Sequence, residues 1–386
     1  MIEYISNQQN PALEDQRDMR VLAVTSFRPD EIVRSVGEMG VPTEVITIAP
    51  TPGRLGHIID TYEQTQDAIR SHDPDVILLD CYETMGIVVT VLARRHDIPL
   101  VARLVGDTWR RYETPSLSSV RSPSGFHQFA VHRAALGLDR LTFSQADGFV
   151  TVSEELKHVV SSRTGTRPER IGVVPVPLTV DTLTAGAATA ARQSLDVDET
   201  RVLLTVTNLK FPEKFEGVKT ALAELQGLLY ENPDLGYVIA GAGQFYDPLL
   251  TVIDETVPDQ HVRDRIYTPG YVENVADLYA LADVFVYVSY LDGYPNAVLE
   301  AQTAQLPVVA NAAHGMCDQI TDGETGYLID PGQPGQLRDR VTSLLRSPDE
   351  RRRIGEQARQ RVFQENTSAV IGEQLEESLA TILEHC

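Results

Sequence analysis

The sequence predicts an α/β protein with two Rossmann-like, doubly wound domains that face each other across a cleft. Three observations lead to this prediction. The length of 386 residues is enough for two domains. Short buried strands alternate with helices in two separate runs. A stretch of small and polar residues at 181–200 separates the runs and is predicted to be a linker. The alternative is two independent domains that share no cleft.

The first run, residues 20–180, is predicted to form the N-terminal domain. Apolar segments rich in β-branched residues are expected as strands at 20–26, 44–48, 75–80, 98–104, 148–152 and 171–175. Helices are expected at 31–39, 61–71, 85–96, 130–146 and 154–163. This alternation is typical of a parallel sheet with helical crossovers. Residues 1–19 are polar and acidic, unlike a signal peptide, and are expected to be a flexible tail.

The second run, residues 201–365, repeats the pattern. Strands are predicted at 201–207, 236–240, 265–268, 284–288, 307–310 and 327–329. Helices are predicted at 218–230, 248–256, 275–281, 336–345 and 348–364. The last segment, residues 366–386, contains an amphipathic helix. Because this helix has no other hydrophobic core to join, we expect it to pack back on the first domain.

Composition narrows the class of protein. The net charge of −22 argues against binding to bulk nucleic acid, which requires a basic surface. The excess of acidic residues and the scarcity of lysine are typical of proteins from salt-loving organisms. Three scattered cysteines without CxxC spacing argue against disulfides and a zinc site. No apolar run reaches 18 residues, so we expect no transmembrane helix and a cytoplasmic protein.

The most informative stretch is 284–311, which is predicted to be a strand, a polar loop, a helix and a second strand. Pro295 suits the first position of the helix, and a helix N-terminus offers free N–H groups to an anion such as a phosphate. Two carboxylates, Asp292 and Glu300, flank this position. The alternatives are that Glu300 complements the helix dipole and that Gly293 is an ordinary turn glycine.

The order and spacing of several motifs resemble those of the retaining nucleotide-sugar glycosyltransferases of family four, which have the GT-B fold. Residues 289–301 resemble the family's Glu-x7-Glu segment, here with Asp292 and Glu300 as its ends. Residues 322–328 resemble a second family motif, and the likeness extends over roughly residues 20–365. It implies a retaining, metal-independent, hexosyltransferase-like enzyme. The nucleotide-diphosphate sugar would be its co-substrate, and a saccharide or lipid-linked acceptor in glycan or glycoprotein biosynthesis would receive the sugar.

The resemblance also implies roles for residues of this stretch. Glu300 is expected to accept hydrogen bonds from the ribose hydroxyls of the nucleotide, because an ionised carboxylate is acceptor-only. Asp292, where the family usually has glutamate, is expected to hold hydroxyls of the donor sugar. The backbone N–H groups of Gly293, Tyr294 and Asn296 are expected to face the sugar or the diphosphate.

Three of the four lysines lie between positions 210 and 219, in a loop similar to the one that supplies basic residues to the diphosphate in the family. Lys214 is the first candidate and Lys210 the second for stabilising the leaving diphosphate, since a fixed cation there lowers the barrier. Asn208 in the same loop is a further donor-binding candidate. Gly243, in a glycine turn, is expected to let the backbone approach the nucleotide. The alternative for the lysines is a solvated helix face.

The N-terminal domain departs further from the family. Asp107 stands near the position of the family's loop histidine and is a catalytic candidate beside Lys214 and Asp292; the alternative is a helix or turn cap. Six arginines and only three acidic residues lie between 103 and 140, and among them Arg110 and Arg111 are candidates for an acceptor phosphate or a peripheral contact with the inner face of the membrane. Ordinary arginine salt bridges are the alternative.

Two other functions remain open at this point. The aspartate at 292 and the missing histidine are compatible with a non-catalytic sugar-nucleotide-binding protein. A sugar-nucleotide epimerase of the same fold is the second alternative.

Overall fold

The computed structural model describes residues 19–26, 29–48, 54–113, 123–178 and 187–386. They form two compact units. The first contains the described residues up to Val152, together with Leu156–Pro177 and Ser368–Cys386. The second contains Ser153–Glu155 and the described part of Leu178–Thr367. The predicted tail up to residue 18, and residues 179–186 of the predicted boundary region, lie outside the described residues.

The first unit is built on a parallel six-stranded sheet in the order β2-β1-β3-β4-β5-β6. Its strands are β1 (Val21–Thr25), β2 (Thr43–Thr47), β3 (Val76–Asp80), β4 (Leu100–Leu104), β5 (Gly148–Thr151) and β6 (Ile171–Val173). Its helices are α1 (Pro29–Gly37), α2 (Arg54–His72), α3 (Glu83–Arg95), α4 (Thr108–Glu113) and α5 (Pro123–Gln145), followed by α6 (Glu154–Thr164), which begins at the unit boundary.

The second unit has its own parallel six-stranded sheet, in the order β12-β11-β10-β7-β8-β9. Its strands are β7 (Arg201–Val206), β8 (Leu235–Ala240), β9 (Ile266–Gly270), β10 (Val284–Tyr287), β11 (Val308–Asn311) and β12 (Tyr327–Ile329). Its helices are α7 (Ala187–Leu195), α8 (Pro212–Glu231), α9 (Tyr246–Thr256), α10 (Gln260–Arg263), α11 (Ala276–Leu281), α12 (Asn296–Thr303), α13 (Met316–Gln319), α14 (Gln336–Arg346) and α15 (Pro348–Glu365).

The last helix, α16 (Ser368–Glu384), belongs to the first unit. Its buried residues recur every three or four positions and join the core beneath β1 and β3; they are Ile371, Leu375, Leu379 and Ile382. Two glycines of the sheet make room for it. A Cβ on Gly148 would lie 2.3 Å from Ile382, and one on Gly172 would lie 2.7 Å from Ser378. The helix therefore packs closely over β5 and β6.

Both predicted sheets are confirmed, while some local details differ. Pro295 has extended backbone angles (φ −70°, ψ 119°), so α12 begins one residue later, at Asn296, and not at the proline. The short helices α4, α10 and α13 were not predicted, because six or fewer residues give no clear periodicity. Helix α7, within the predicted linker, packs in the second unit through Ala191.

The strand order reverses beside the first strand of each sheet. In the second sheet, β7 lies between β8 and β10, so the chain leaves β7 in one direction and later returns on its other side. Open α/β sheets bind ligands at the carboxyl ends of the strands at such a switch point. The loops after β7 and β10 therefore border the expected ligand site of this unit.

Candidate functional site

Three side chains meet at the switch point of the second sheet. The Lys214 ammonium lies 2.9 Å from Asp292 Oδ1 and donates a hydrogen bond of 3.0 Å to the Tyr287 hydroxyl. The Tyr287 hydroxyl in turn donates to Asp292 Oδ2 at 2.9 Å. Each of the three groups thus contacts the other two. The structure joins two of the predicted catalytic residues in one cluster, although they lie 78 positions apart in the sequence.

A glycine allows this meeting. Helix α8 begins at Pro212, which places Lys214 in its first turn, and Gly217 follows almost one turn later. A Cβ on Gly217 would lie 1.9 Å from the carbonyl oxygen of Val288, just beyond β10. Only glycine permits the helix to approach the backbone this closely, and the approach brings Lys214 to the loop that carries Asp292.

Burial and charge fix the protonation of the cluster. Burial, reinforced by the nearby Asp292 carboxylate, raises the pKa of Tyr287 to about 12, so its hydroxyl remains a hydrogen-bond donor at neutral pH. Burial by itself lowers the pKa of Lys214, but the Tyr287 oxygen and the Asp292 carboxylate outweigh it, and the pKa lies above its ordinary value. The cluster therefore holds a permanent ammonium.

Glu300 lies in α12, one turn beyond its start, where its carboxylate is half-buried. The hydroxyl of Tyr279, from α11, donates a hydrogen bond of 2.7 Å to Glu300 Oε2. Burial, together with the charge of Glu300, raises the pKa of Tyr279 well above its ordinary value. Tyr279 therefore acts as a donor that orients the carboxylate.

The loops after β7 and β8 pack directly on each other. The Leu209 N–H donates to the Ala242 carbonyl at 3.0 Å. A Cβ on Gly243, whose φ is +153°, would lie 2.2 Å from the Leu209 carbonyl, so contact between the two loops requires this glycine. Asn208 is partly exposed, and within the described residues its Oδ1 has no hydrogen-bond partner. The Lys210 side chain is exposed.

The loop before α12 is held from below. A Cβ on Gly315 would lie 2.0 Å from the Gly293 carbonyl, so the chain before α13 supports the loop closely. The Tyr294 side chain is buried, and its hydroxyl accepts a hydrogen bond of 3.2 Å from Asn366 Nδ2. Because the Tyr294 side chain is buried, only the backbone of this residue is available to a ligand at the loop. Asn296 is the first residue of α12.

Two family profiles match this chain. The profile "Glycosyl transferases group 1" matches residues 188–361, and the profile "Glycosyltransferase Family 4" matches residues 12–181. Together they include most of both units. The chain belongs to the group 1 and family 4 glycosyltransferases. This confirms the predicted family.

Curated relatives of this chain include N-acetyl-alpha-D-glucosaminyl L-malate synthase of Bacillus anthracis. It is 27% identical over 176 residues, which is 46% of this chain and 44% of that protein. D-inositol 3-phosphate glycosyltransferase of Mycobacterium sp. (strain KMS) is 28% identical over 214 residues, 54% of this chain and 47% of that protein. The chain thus matches less than half of the length of these two relatives.

Solved structures support the fold. The structure of Anabaena HepE in complex with UDP-glucose aligns with 94% of this chain and with all of its own chain. The TM-score is 0.67 and the sequence identity is 18%. At this identity the likeness concerns the fold alone. It confirms the predicted two-domain α/β architecture of GT-B enzymes.

The remaining predicted site residues lie in the first unit. Asp107 Oδ1 accepts a hydrogen bond of 2.9 Å from the Arg110 backbone N–H, so this carboxylate caps α4. The cap is the alternative that the sequence left open for Asp107. Arg110 is exposed, and the side chain of Arg111 lies outside the described part of the structure.

Sequence reasoning missed a buried charged cluster at the switch point of the first sheet. Arg103 Nη1 lies 3.2 Å from Asp80 Oδ1, and Nη2 lies 3.8 Å from Glu31 Oε2. The Thr25 hydroxyl donates to Asp80 Oδ2 at 2.9 Å. A signal was present, since Asp80 closes an otherwise apolar strand, VILLD. The first unit thus has a polar centre of its own at the carboxyl ends of β1, β3 and β4.

This cluster predicts a pH dependence of stability. Burial raises the pKa of Asp80 to about 6 from 3.8, although Arg103 and Thr25 oppose the rise. Between these values the folded protein binds the proton more tightly than the unfolded chain, so stability falls as pH rises toward 6 and this contribution is constant above it. The free energy of unfolding of the natural protein, relative to Asp80→Asn, should fall by about 2 kcal/mol from about pH 4.5 to about pH 7.5.

Urea unfolding of both proteins across this pH range measures the difference. Asp67→Asn, on the exposed side of α2, keeps Asp80 and is the control, so its free energy of unfolding should fall with pH as that of the natural protein does. An Asp80→Asn variant whose unfolding free energy follows the same pH course as the natural protein would contradict the raised pKa.

Proposed function

We propose that this protein is a retaining, metal-independent glycosyltransferase that moves a sugar from a nucleotide-diphosphate sugar to a hydroxyl acceptor. The observation that carries the proposal is the Lys214–Tyr287–Asp292 cluster at the switch point of the second sheet, beside the N-terminus of α12. An ammonium lies there beside a helix N-terminus, and both favour the binding of a diphosphate.

Each side chain has a distinct task in this proposal. Lys214 donates to the diphosphate and stabilises the negative charge that builds as it departs. Asp292 accepts hydrogen bonds from hydroxyls of the donor sugar. Glu300, oriented by Tyr279, accepts from the ribose hydroxyls, because a fixed carboxylate can pair with two neighbouring hydroxyl donors. Asn208, Lys210 and Gly243 lie in the two packed loops on the neighbouring strands β7 and β8.

The reaction exchanges one bond at the anomeric carbon for another. The bond from this carbon to the diphosphate oxygen breaks with its electron pair on the diphosphate, and a bond to the acceptor oxygen forms on the same face, which retains the configuration. The acceptor proton passes to the departing phosphate oxygen. The positive charge required at the diphosphate comes from Lys214 and from α12, so the proposal includes no metal ion and no further cofactor.

The acceptor is proposed to be a saccharide or a lipid-linked saccharide bound by the first unit, in the cytoplasm. Arg110 and Arg111 are its candidate contacts, and cations suit an anionic acceptor or an anionic membrane surface. The names of two relatives include L-malate and D-inositol 3-phosphate, which are both anions. Within the described ranges no helix is long and apolar enough to cross a membrane.

Donor binding tests the proposal directly. A ligand that binds only the folded state at a hundredfold excess over its Kd stabilises it by about 2.7 kcal/mol. One member of a panel of nucleotide-diphosphate sugars should therefore raise the Tm by several degrees and serve as donor in a transfer assay. No stabilisation by any member would overturn the proposal, and binding without transfer would favour the non-catalytic alternative.

Glu300→Gln should weaken binding of that donor by about 10- to 100-fold, because each hydrogen bond to a charged group contributes about 1.5–3 kcal/mol. Calorimetric titration measures the loss. Glu356→Gln, an exposed change on α15 of the same unit, is the matched control and should bind as the natural protein does. Equal affinities of the two variants would remove Glu300 from the site.

A further inference from the structure

We propose that Tyr287 is a positioning residue of the donor site, whose hydroxyl locks the short Asp292 carboxylate in one orientation toward the donor sugar. The inference rests on the proposed function. It assigns a role to a residue that the sequence marks only as part of a buried strand. Its basis is the closed ring of contacts among three side chains, which come from a helix, a strand and a loop.

The ring determines the orientation of the carboxylate. Asp292 Oδ1 accepts from Lys214, and Oδ2 accepts from Tyr287, each at 2.9 Å. With Lys214 alone, the carboxylate could rotate about its Cβ–Cγ bond and keep the same partner. A second donor on the second oxygen removes this freedom. The hydroxyl thereby decides which lone pairs Asp292 presents to a ligand.

Tyr287 is well suited to act as a fixed reference. It is the last residue of the central strand β10 and only 2% exposed. Its ring stacks on Phe285, with 6.0 Å between ring centroids and 13° between ring planes. Groups on strands are held more precisely than groups on loops, and Asp292 lies on a loop. The hydrogen bond from the Tyr287 hydroxyl therefore fixes the loop carboxylate of Asp292 relative to the rigid strand.

The ring leaves capacity for the donor. A carboxylate offers about four acceptor positions, and the ring uses two of them, so two hydroxyls of a sugar can still be accepted. Lys214 has three N–H donors, and its two hydrogen-bond partners among the described residues leave one for a phosphate oxygen. With both side chains only 11% exposed, the remaining positions are confined to a small opening.

The lengths of the side chains are matched. A glutamate at position 292 would carry its carboxylate about 1.5 Å further, into the space of the Tyr287 hydroxyl and the Lys214 ammonium. Removing the hydroxyl would open that space. Tyr287→Phe and Asp292→Glu should therefore each be harmful alone and less harmful together, a coupling that a double-mutant cycle measures.

The experiment compares the natural protein, Tyr287→Phe, Asp292→Glu and the double variant in sugar transfer with the donor that the panel identifies. Each single change should lower kcat/KM by about 10-fold or more, mainly through a higher donor KM. If the two changes acted independently, their fractional losses of kcat/KM would multiply. The kcat/KM of the double variant should be at least about 10-fold higher than that product. Affinity for the nucleoside monophosphate should stay within about twofold, since Glu300 holds the ribose.

Tyr237→Phe is the matched control. Tyr237 is fully buried on β8, and its hydroxyl bonds to the Thr205 hydroxyl at 2.8 Å, so its loss tests a buried tyrosine hydroxyl outside the donor site. This control should lower the Tm and leave the donor KM unchanged. If Tyr287→Phe behaves in the same way, or if the two single effects simply multiply, the positioning role is overturned. A natural protein that binds none of the sugar nucleotides overturns the proposed function first, and the positioning role with it.

Discussion

Lys214→Met should lower kcat for sugar transfer by about 10²- to 10³-fold, the usual loss when one preorganised donor to developing negative charge is removed. Methionine keeps much of the length of the side chain and removes its charge. The change also leaves Asp292 without its ammonium partner, so the Tm should fall by a few degrees. Rapid-mixing kinetics at saturating donor separate this loss of rate from weaker binding.

Lys219→Met is the matched control for this prediction. Lys219 lies on the same helix, is partly exposed, and pairs with Glu216 at 3.0 Å, a surface pair of the kind that contributes little to stability. Its replacement should leave kcat and the Tm nearly unchanged. Comparable rates for the Lys214 and Lys219 variants would show that Lys214 has no role in transfer.

Gly217→Ala should both destabilise the second unit and impair the site. The new methyl group would overlap the Val288 carbonyl, and relief requires α8 to move by more than about 1 Å. Overpacking of this kind costs about 1–3 kcal/mol, against which the better helix propensity of alanine returns up to about 1 kcal/mol. The same movement separates Lys214 from Asp292, and a displacement of this size can lower kcat/KM by about 10²-fold.

Gly227→Ala tests whether the effect belongs to the close approach. Gly227 lies on α8 as well, but a Cβ there would meet only the end of the Arg338 side chain, at 3.2 Å, which can move aside. This variant should be as stable as the natural protein or slightly more so. Chemical unfolding and transfer assays on both variants complete the comparison, and equal behaviour would refute the role of the Gly217 contact.

The sequence predicted the two sheets because their strands are buried on both faces and read as continuous apolar segments. β1, β3 and β4 are buried along their whole length, and the predicted segments include them. Burial also made the contacts of two tyrosine hydroxyls, one on helix α11 and one on strand β10, unpredictable from the sequence. Tyr279 and Tyr287 resemble ordinary core residues in the sequence, and only the folded chain shows that their hydroxyls reach Glu300 and Asp292.

The candidate site was predictable one residue at a time, but its pairings were not. The sequence predicts that Asp292 binds the donor sugar and that Lys214 binds the diphosphate, but it does not predict that the two side chains contact each other. It gives no information on the distance between the start of α8 and the loop after β10. That distance depends on Gly217, which the sequence places just before the predicted helix 218–230 and the structure places within α8. The Asp80–Arg103–Glu31 cluster was missed because its members come from two strands and a helix.

The placement of α16 has a consequence for how this chain is made. The first unit begins with β1 and receives its last core helix only after all of the second unit has been synthesised. On the ribosome, the second unit is complete while the hydrophobic positions that await Ile371, Leu375 and Leu379 are still uncovered. The core of the first unit is therefore closed by a segment that is translated after the residues of the Lys214–Tyr287–Asp292 ring.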